Sequence, residues 1–137
     1  MSVDTFISGM AIGVDLLAAE CVIEVRKSAN IKLIGAVPFP SQAGKWPKPS
    51  QDHWAQTGKA CDTIHYVSAD PYHPSKMQIR NEWMVDHSNY VIAVWDGTKN
   101  GGTWNCIKYA LAKSKPVLHV KWKDLGYSGF WLQQEIV

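Results

Sequence analysis

The chain has 137 residues, of which 46% are hydrophobic and 19% are charged, and its formal net charge at pH 7 is +2. This length and composition predict a single globular domain over residues 1–137. The small net charge argues against a nucleic-acid partner. We expect neither a membrane-spanning segment nor a secretory signal, and therefore a cytoplasmic protein.

The sequence predicts alternating strands and helices. Strands are expected at residues 3–7, 31–37, 63–67, 90–95 and 116–120, and helices at 13–27, 52–60, 75–87 and 103–113. Ser50 or Asp52 is the expected N-cap of the second helix. The near-continuous apolar run at 90–95 indicates a central strand buried on both faces. The tail from Lys123 fits no element.

This alternation predicts an α/β fold, namely a Rossmann-like three-layer α/β/α arrangement with a mainly parallel sheet of about five strands. Right-handed crossovers place every strand-to-helix turn at one edge of such a sheet. Ligands of open α/β sheets bind at that edge. Four segments fall at or near it, and they supply the candidate ligand-binding residues.

The first segment is "SGMAIGVD", between the first strand and the first helix. Glycines in such a turn permit close backbone approach, and the helix N-terminus favours an anion. The alternative is a plain strand–helix connection. The candidates here are Ser8, Gly9, Met10, Gly13 and Asp15.

The second segment, residues 96–105, follows the most apolar strand and opens a helix. Its two adjacent glycines can present bare backbone to a phosphate, and Thr103 is expected to be both helix cap and hydroxyl donor. It is not a Walker motif. The alternative is a mobile glycine loop. The candidates are Asp96, Gly97, Gly101, Gly102, Thr103, Trp104 and Asn105.

The third segment contains Arg80 and Asn81, early in a predicted helix. Because an arginine there opposes the helix dipole, we expect it to have another partner, such as a phosphate or a carboxylate. A salt bridge to Glu82, Asp86 or another acid is the alternative.

The fourth segment is "PFPSQAGKW". Phe39 or Trp46, which is one of seven tryptophans, is placed to stack on a base, and Gln42 to read its edge. The alternative is a proline-stiffened surface loop whose aromatic side chains pack inward.

Other site chemistry finds little support in the sequence. Cys21, Cys61 and Cys106 have neither metal-ligand nor redox spacing, and their odd number argues against a disulfide framework. The five histidines form no HxH or HExxH pattern. We therefore expect no metal and no other cofactor.

The ordered segments "SGMAIGVDLLAAE", "PFPSQAGKW", "RNEWMVDHS", "VIAVWDG" and "GGTWNCIKYA" resemble the YpsA-like members of the SLOG superfamily. That superfamily joins the DNA-processing protein Smf/DprA to the Lonely-guy phosphoribohydrolases. The resemblance covers about residues 3 to 120. It implies a Rossmann-like fold that binds nucleotides or nucleotide-derived ligands at the glycine turns. Similar domains sense ADP-ribose-derived signals.

The sequence also departs from the family pattern. Family members usually begin with an extra strand that ends in a Gly-His-Arg type turn, so we expect either a start codon placed too late or a genuine short form. The sheet would then gain an exposed edge that a partner subunit could cover, and we expect a homodimer.

A second departure concerns catalysis. The enzyme branch carries a signature close to Gly-Gly-x-Gly-Thr-x-x-Glu, and Cys106 stands where that glutamate would be. Arg80 matches the arginine of that branch's Arg-Lys pair, and Asn81 replaces the lysine. Glu20 and Glu82 are possible substitutes for the missing carboxylate. The resemblance therefore supports binding more than hydrolysis.

These observations predict a protein that binds a phosphate-bearing nucleotide or a nucleotide-derived small molecule, as a sensor or a sequestering protein. The glycine turns would cradle the phosphates, Arg80 would neutralise them, and Asp15 and Asp96 would accept hydrogen bonds from ribose hydroxyls. Two alternatives stay open. One is a nucleotide phosphoribohydrolase or N-glycosidase, and the other is a single-stranded DNA-binding module.

Overall fold

The structure is a computed structural model that describes residues 2–121 and 129–132. These residues form two compact units, and the boundary lies between Arg80 and Asn81. The single domain expected from the sequence stays a prediction. No helix in the described ranges is long and apolar enough to cross a membrane.

The first unit contains a parallel three-stranded sheet. Its elements are β1 (Thr5–Ser8), α1 (Val14–Arg26), β2 (Lys32–Val37), α2 (Lys48–Ala60), β3 (Thr63–Tyr66) and the larger part of α3 (Pro74–Asp86). The strand order is β1-β2-β3, and the register pairs Ser8 with Gly35 and Gly35 with Ile64. The carboxyl ends of β1, β2 and β3 therefore lie at the same edge.

The core of the first unit lies between this sheet and helices α1 and α2. Met10, Leu16 and Val37 are almost fully buried in it. Leu16 and Ala19 are one turn apart on α1, and both are 1% exposed, so this helix buries one stripe of its surface. Partly buried side chains pack around the cluster, namely Trp46, Trp54, Cys61 and Ile64.

The second unit contains a mixed three-stranded sheet. Its elements are the end of α3, β4 (Val91–Val94), α4 (Gly101–Ala112), β5 (Val117–Val120) and β6 (Gly129–Leu132). Strands β4 and β5 are parallel, and β5 and β6 are antiparallel. The core is a cluster of buried residues from α3, β4, α4 and β5: Val85, Ala93, Trp95, Trp104, Ile107, Ala110, Leu111 and Val117.

The predicted α/β, Rossmann-like fold class is confirmed. The prediction was a single sheet of about five strands, whereas the six described strands form two three-stranded sheets. Strand β6 lies in the tail that the sequence did not assign. The prediction that 90–95 is buried on both faces is wrong: β4 stands at one end of its sheet, and Ile92 is 59% exposed.

The predicted starts of two helices are also corrected. Helix α2 begins at Lys48 after Pro47, and neither Ser50 nor Asp52 is its N-cap. A proline is tolerated there because the first helical N–H groups have no partner within the helix. Helix α4 begins at Gly101 with Asn100 as its N-cap, so Thr103 is the third residue of the helix and not its cap.

Candidate functional site

The predicted turn between β1 and α1 is braced by its own polar side chains. The Ser8 hydroxyl donates to the Asp15 carbonyl oxygen at 2.8 Å and accepts a hydrogen bond from the Met10 amide at 3.2 Å. Asp15 Oδ2 accepts one from the Ala11 amide at 3.2 Å. Ser8, Met10, Ala11 and Asp15 thus contact one another within the turn, and the Met10 and Ala11 amides are already used there.

The amides that the turn leaves open lie further along, at the start of α1. No described residue accepts a hydrogen bond from the backbone N–H groups of residues 12–15. Gly13 precedes the helix with φ 96° and ψ −123°, a backbone conformation that disfavours residues with a side chain. These N–H groups stand at the positive end of the macrodipole of a 13-residue helix, which favours an anion.

Two buried side chains from other elements converge on the carbonyl oxygen of Gly9. Gln42, from the loop after β2, donates through Nε2 at 3.2 Å, and Arg80, from α3, donates through Nη1. Gln42 is 7% exposed and Arg80 is 5% exposed. Neither predicted role of Arg80, to a phosphate or to an acid, included this bond to the turn itself.

Gly9 has no room for a side chain. A Cβ atom built on it would lie 2.5 Å from Arg80 Nη1, 2.7 Å from Arg80 Cζ and 2.7 Å from Asp15 Oδ2. A cation and a carboxylate therefore both pack against this glycine. The carboxylate offsets part of the positive potential and offers an acceptor, whereas the guanidinium and the open amides attract an anion.

A further hydrogen bond extends this network to α2. The indole Nε1 of Trp54 donates to Gln42 Oε1 at 2.9 Å, so both ends of the Gln42 amide are held. Sequence reasoning did not single out Trp54. Its only signal was a tryptophan within a weakly amphipathic helix, and that signal says nothing about its partner.

The aromatic candidates of the loop after β2 are not equally exposed. Phe39 is 5% exposed and packs edge-on against Tyr72, with ring centroids 5.7 Å apart. Trp46 is half-buried against the core cluster of the first unit. Phe39 thus fits the alternative of inward packing, and a stacking role for either ring stays a prediction.

A second anchor holds this loop. Asp70 Oδ1 accepts hydrogen bonds from the Ser41 amide at 2.9 Å and the Ser41 hydroxyl at 2.7 Å. The hydroxyl and then the amide lower the pKa of Asp70 below its usual range. The loop that carries Gln42 is therefore fixed at its start as well as through Gln42 itself.

In the second unit, the candidate residues surround the start of α4. Trp104 is 7% exposed and stacks on Trp95, with ring centroids 5.4 Å apart and an interplanar angle of 9°. The ammonium groups of Lys99 and Lys108 lie 5.7 Å and 5.8 Å from the centroid of Trp104. Trp104 is thus a buried side chain and does not present an open ring face for stacking. Two lysine ammonium groups lie near its ring, a contact that the sequence did not predict.

The backbone at this turn is open to solvent. Gly97 and Gly101 have φ angles of 91° and 83°. Gly102, Thr103 and Asn105 are exposed, and no atom lies within 4 Å of a Cβ built on Gly102. No described side chain caps this helix, and its first amides are therefore accessible to a ligand.

Asp96 shapes the same turn. Its Oδ1 accepts a hydrogen bond from the Thr98 amide at 2.8 Å. The Thr98 amide and then its hydroxyl lower the pKa of Asp96, so this carboxyl is ionised near pH 7 and can accept hydrogen bonds. Asn81, the remaining candidate, is half-buried in α3.

Comparison with known proteins decides the family. The family model described as the YspA SLOG family (YpsA) matches residues 1–124. The chain belongs to this family. The resemblance to YpsA-like SLOG proteins that the sequence motifs predict is confirmed.

Curated relatives extend the comparison. The SPbeta prophage-derived protein YoqJ of Bacillus subtilis is 37% identical over 130 residues, which cover 86% of this chain and 74% of that protein. UPF0398 protein BH1768 of Halalkalibacterium halodurans is 29% identical over 101 residues, 72% of this chain and 53% of that protein. UPF0398 protein lwe1908 of Listeria welshimeri is 32% identical over 97 residues, which cover 69% of this chain and 53% of that protein. The chain spans about half the length of these two UPF0398 proteins.

Within this SLOG chain, two of the residues considered for catalysis, Cys106 and Glu20, contact other parts of the fold. Cys106 is half-buried and packs against the core of the second unit. Glu20 Oε1 is hydrogen bonded to His53 Nε2 at 2.7 Å, midway along α1. No group of three or more His, Cys, Asp or Glu residues in the described parts of the chain is arranged to hold a metal ion.

Proposed function

We propose that this SLOG protein binds a phosphate-bearing nucleotide or nucleotide-derived small molecule, of which an ADP-ribose-type signal is one example. It would act as a sensor or a sequestering protein. The ligand lies at the carboxyl ends of the strands. The observation that carries the proposal is the buried guanidinium of Arg80 at Gly9, in the same strand–helix turn that leaves the amides of residues 12–15 without an acceptor in the described residues.

Physical reasons support this assignment. A buried arginine and a helix N-terminus act together on a phosphate through charge-assisted hydrogen bonds and the helix dipole. Asp15, held by the Ala11 amide, supplies an acceptor for a ribose hydroxyl. The start of α4, with its exposed glycine backbone, is proposed as a phosphate-binding element of the second unit.

The experiment is a titration of AMP, ADP and ADP-ribose by calorimetry and thermal shift, on the wild type and on Arg80→Met and Arg80→Lys. We expect at least tenfold weaker binding for Arg80→Met, since a hydrogen bond to a charged group contributes about 1.5–3 kcal/mol. Arg80→Lys keeps the charge but loses the planar fork, so its affinity should fall between the other two.

The matched control is Arg26→Met. Arg26 lies at the opposite end of α1 and pairs with Asp62 at 2.9 Å, away from the turn. Circular dichroism checks that each variant is folded. If folded Arg80→Met binds as tightly as Arg26→Met, Arg80 does not contact the phosphate; if none of the ligands binds the wild type, the proposed ligand class is wrong.

A further inference from the structure

A cavity of about 290 Å³ lies beside the turn, between α2 and the carboxyl-terminal residues of β2 and β3. Its lining includes Met10, Trp54, Gly58, Lys59, Ile64 and Tyr66. Met10 connects it to the turn, because its backbone belongs to the turn and its fully buried side chain reaches α2. None of the roles assigned so far uses this cavity.

Gly58 is the residue that the fold does not explain. It lies inside α2, two residues before the helix ends at Ala60, and its φ angle is not positive. A glycine there destabilises the helix relative to alanine. A Cβ built on Gly58 would touch only Met10 Cε, at an ordinary contact distance of 4.0 Å. Packing within the protein therefore does not require a glycine.

Gly35 shows the contrast. A Cβ built on Gly35 would lie 2.7 Å from Ile64 Cδ1 and 3.3 Å from Met10 Cγ, so a larger residue there would require neighbouring side chains to move. At Gly58 the same test finds open space on the cavity side. The helix thus gives up stability to keep a space that the protein itself does not fill.

We propose that this cavity binds the planar ring of a nucleobase. Trp54 and Ile64 form walls suited to a flat apolar ring. Lys59 and Tyr66 supply donors for ring carbonyl groups. The volume is at the lower limit for ligand pockets, which fits one ring system rather than a whole nucleotide.

The proposal rests on the proposed function, because the turn that carries Met10 would hold the phosphate of the same ligand. It adds the part of the ligand that is not a phosphate. It also assigns the base to Trp54 and Tyr66, which are different from the stacking candidates Phe39 and Trp46.

The test compares Gly58→Ala and Gly58→Leu with the wild type. Gln56→Leu is the matched control, because Gln56 is an exposed residue of α2 outside the cavity lining. Thermal unfolding without ligand is measured first. We expect Gly58→Ala to melt at the same or a higher temperature than the wild type. A lower melting temperature would mean that Gly58 serves packing, and it would overturn the proposal.

Binding is then followed by NMR of ¹³C-methyl-labelled methionine, with the Met10 signal assigned through Met10→Leu. The probes are adenosine, guanosine, cytidine and uridine, which carry a base but no phosphate. At least one should shift the Met10 methyl signal in the wild type and in Gln56→Leu, with affinity at least fivefold weaker in Gly58→Ala and lost in Gly58→Leu. If no nucleoside moves this signal, or if Gly58→Leu binds normally, the proposal is wrong.

Failure of the nucleobase site can be distinguished from failure of the proposed phosphate binding. Nucleotide binding that depends on Arg80 but is unchanged in Gly58→Leu would overturn the base site and leave phosphate binding standing. Nucleoside binding that depends on Gly58, with no gain in affinity from a phosphate, would uphold the base site and overturn the proposed phosphate site.

Discussion

Gly9 lies where three parts of the first unit meet, because its carbonyl oxygen accepts hydrogen bonds from Gln42 and Arg80 and its α-carbon faces Asp15. The loop after β2 and helix α3 are thereby tied to the strand–helix turn. The buried charge of Arg80 contributes to the fold as well as to the candidate site, since a guanidinium is kept inside only where it is hydrogen bonded.

At this scale we predict that Gly9→Ala destabilises the protein. The new methyl group would lie 2.5–2.7 Å from Arg80 and Asp15 atoms, and neither side chain can move without breaking its bond to the turn. Overpacking of this kind costs about 1–3 kcal/mol of the free energy of unfolding. Urea denaturation measures it.

Gly102→Ala is the control, because Gly102 is helical and a Cβ built on it would meet no side chain or other element of the described residues within 4 Å. Alanine there should leave the free energy of unfolding unchanged or raise it by up to about 1 kcal/mol. Equal losses in the two variants would contradict the close approach at Gly9.

A second residue-scale prediction concerns Asp62. The Leu33 amide donates to its Oδ2 at 2.8 Å and lowers the pKa of Asp62 most, and Arg26 at 2.9 Å lowers it further. Because the folded pKa is below the ordinary 3.8, the stabilising contribution is present above that value and is lost as the pH falls through the folded pKa. The wild type should therefore lose stability between about pH 5 and pH 2.

Asp62→Asn should have a lower free energy of unfolding than the wild type at pH 7, and this free energy should fall less on acidification. Arg26→Met should keep most of the wild-type acid dependence, because the Leu33 amide is the larger cause. Urea midpoints at pH 7, 4 and 3 give the comparison. An acid dependence in Asp62→Asn as steep as that of the wild type would refute the assignment.

At the scale of elements, the sequence predicted strands and helices where the spacing of apolar residues and the position of turn-forming residues indicated the same element. The start of α2 was missed because Pro47 and Pro49 resemble a loop, although proline fits the first turn of a helix. The exposed Ile92 was missed because an apolar run cannot show where its strand stands in a sheet. Sheet position depends on pairing partners, which local pattern does not contain.

Helix α4 carries a prediction at the same scale. Thr103 is its third residue, exposed and close to the open N–H groups. Thr103→Glu adds a negative charge that should stabilise the helix by about 0.3–1 kcal/mol and should repel a bound phosphate. Stability and affinity should thus move in opposite directions, with at least fivefold weaker binding of ADP-ribose.

Thr103→Gln is the matched control, since it has nearly the same shape without the charge. It should bind ADP-ribose within about twofold of the wild type, a difference of about 0.4 kcal/mol. Calorimetric titration and urea denaturation give both quantities. Unchanged affinity in Thr103→Glu would remove the start of α4 from the proposed phosphate contacts.

At the scale of the whole molecule, motifs identified the residue types of the site but not their contacts. Arg80 and Gly9 are 71 residues apart, and Gln42 and Gly9 are 33 apart. Because a helix dipole explains only that Arg80 needs a partner, the sequence left a phosphate and a carboxylate as alternatives. Trp54 was missed for the same reason, since its partner Gln42 is set by the packing of α2 on the sheet.

The last prediction is that the purified protein returns its ligand chemically intact. Cleavage of an N-glycosidic bond needs a general acid or base, and at the matching position of α4 Cys106 packs on the core while Asp96 is ionised near pH 7. Incubation with AMP and ADP-ribose, followed by heat denaturation and mass spectrometry, should recover both without free adenine.

The same incubation without protein is the control for spontaneous breakdown. Protein-dependent release of adenine would favour the phosphoribohydrolase alternative and would place a catalytic carboxylate elsewhere in the chain. Binding of a single-stranded oligonucleotide at several salt concentrations tests the remaining alternative. A module that neutralises several phosphates loses affinity steeply with salt, whereas a net charge of +2 predicts weak binding throughout.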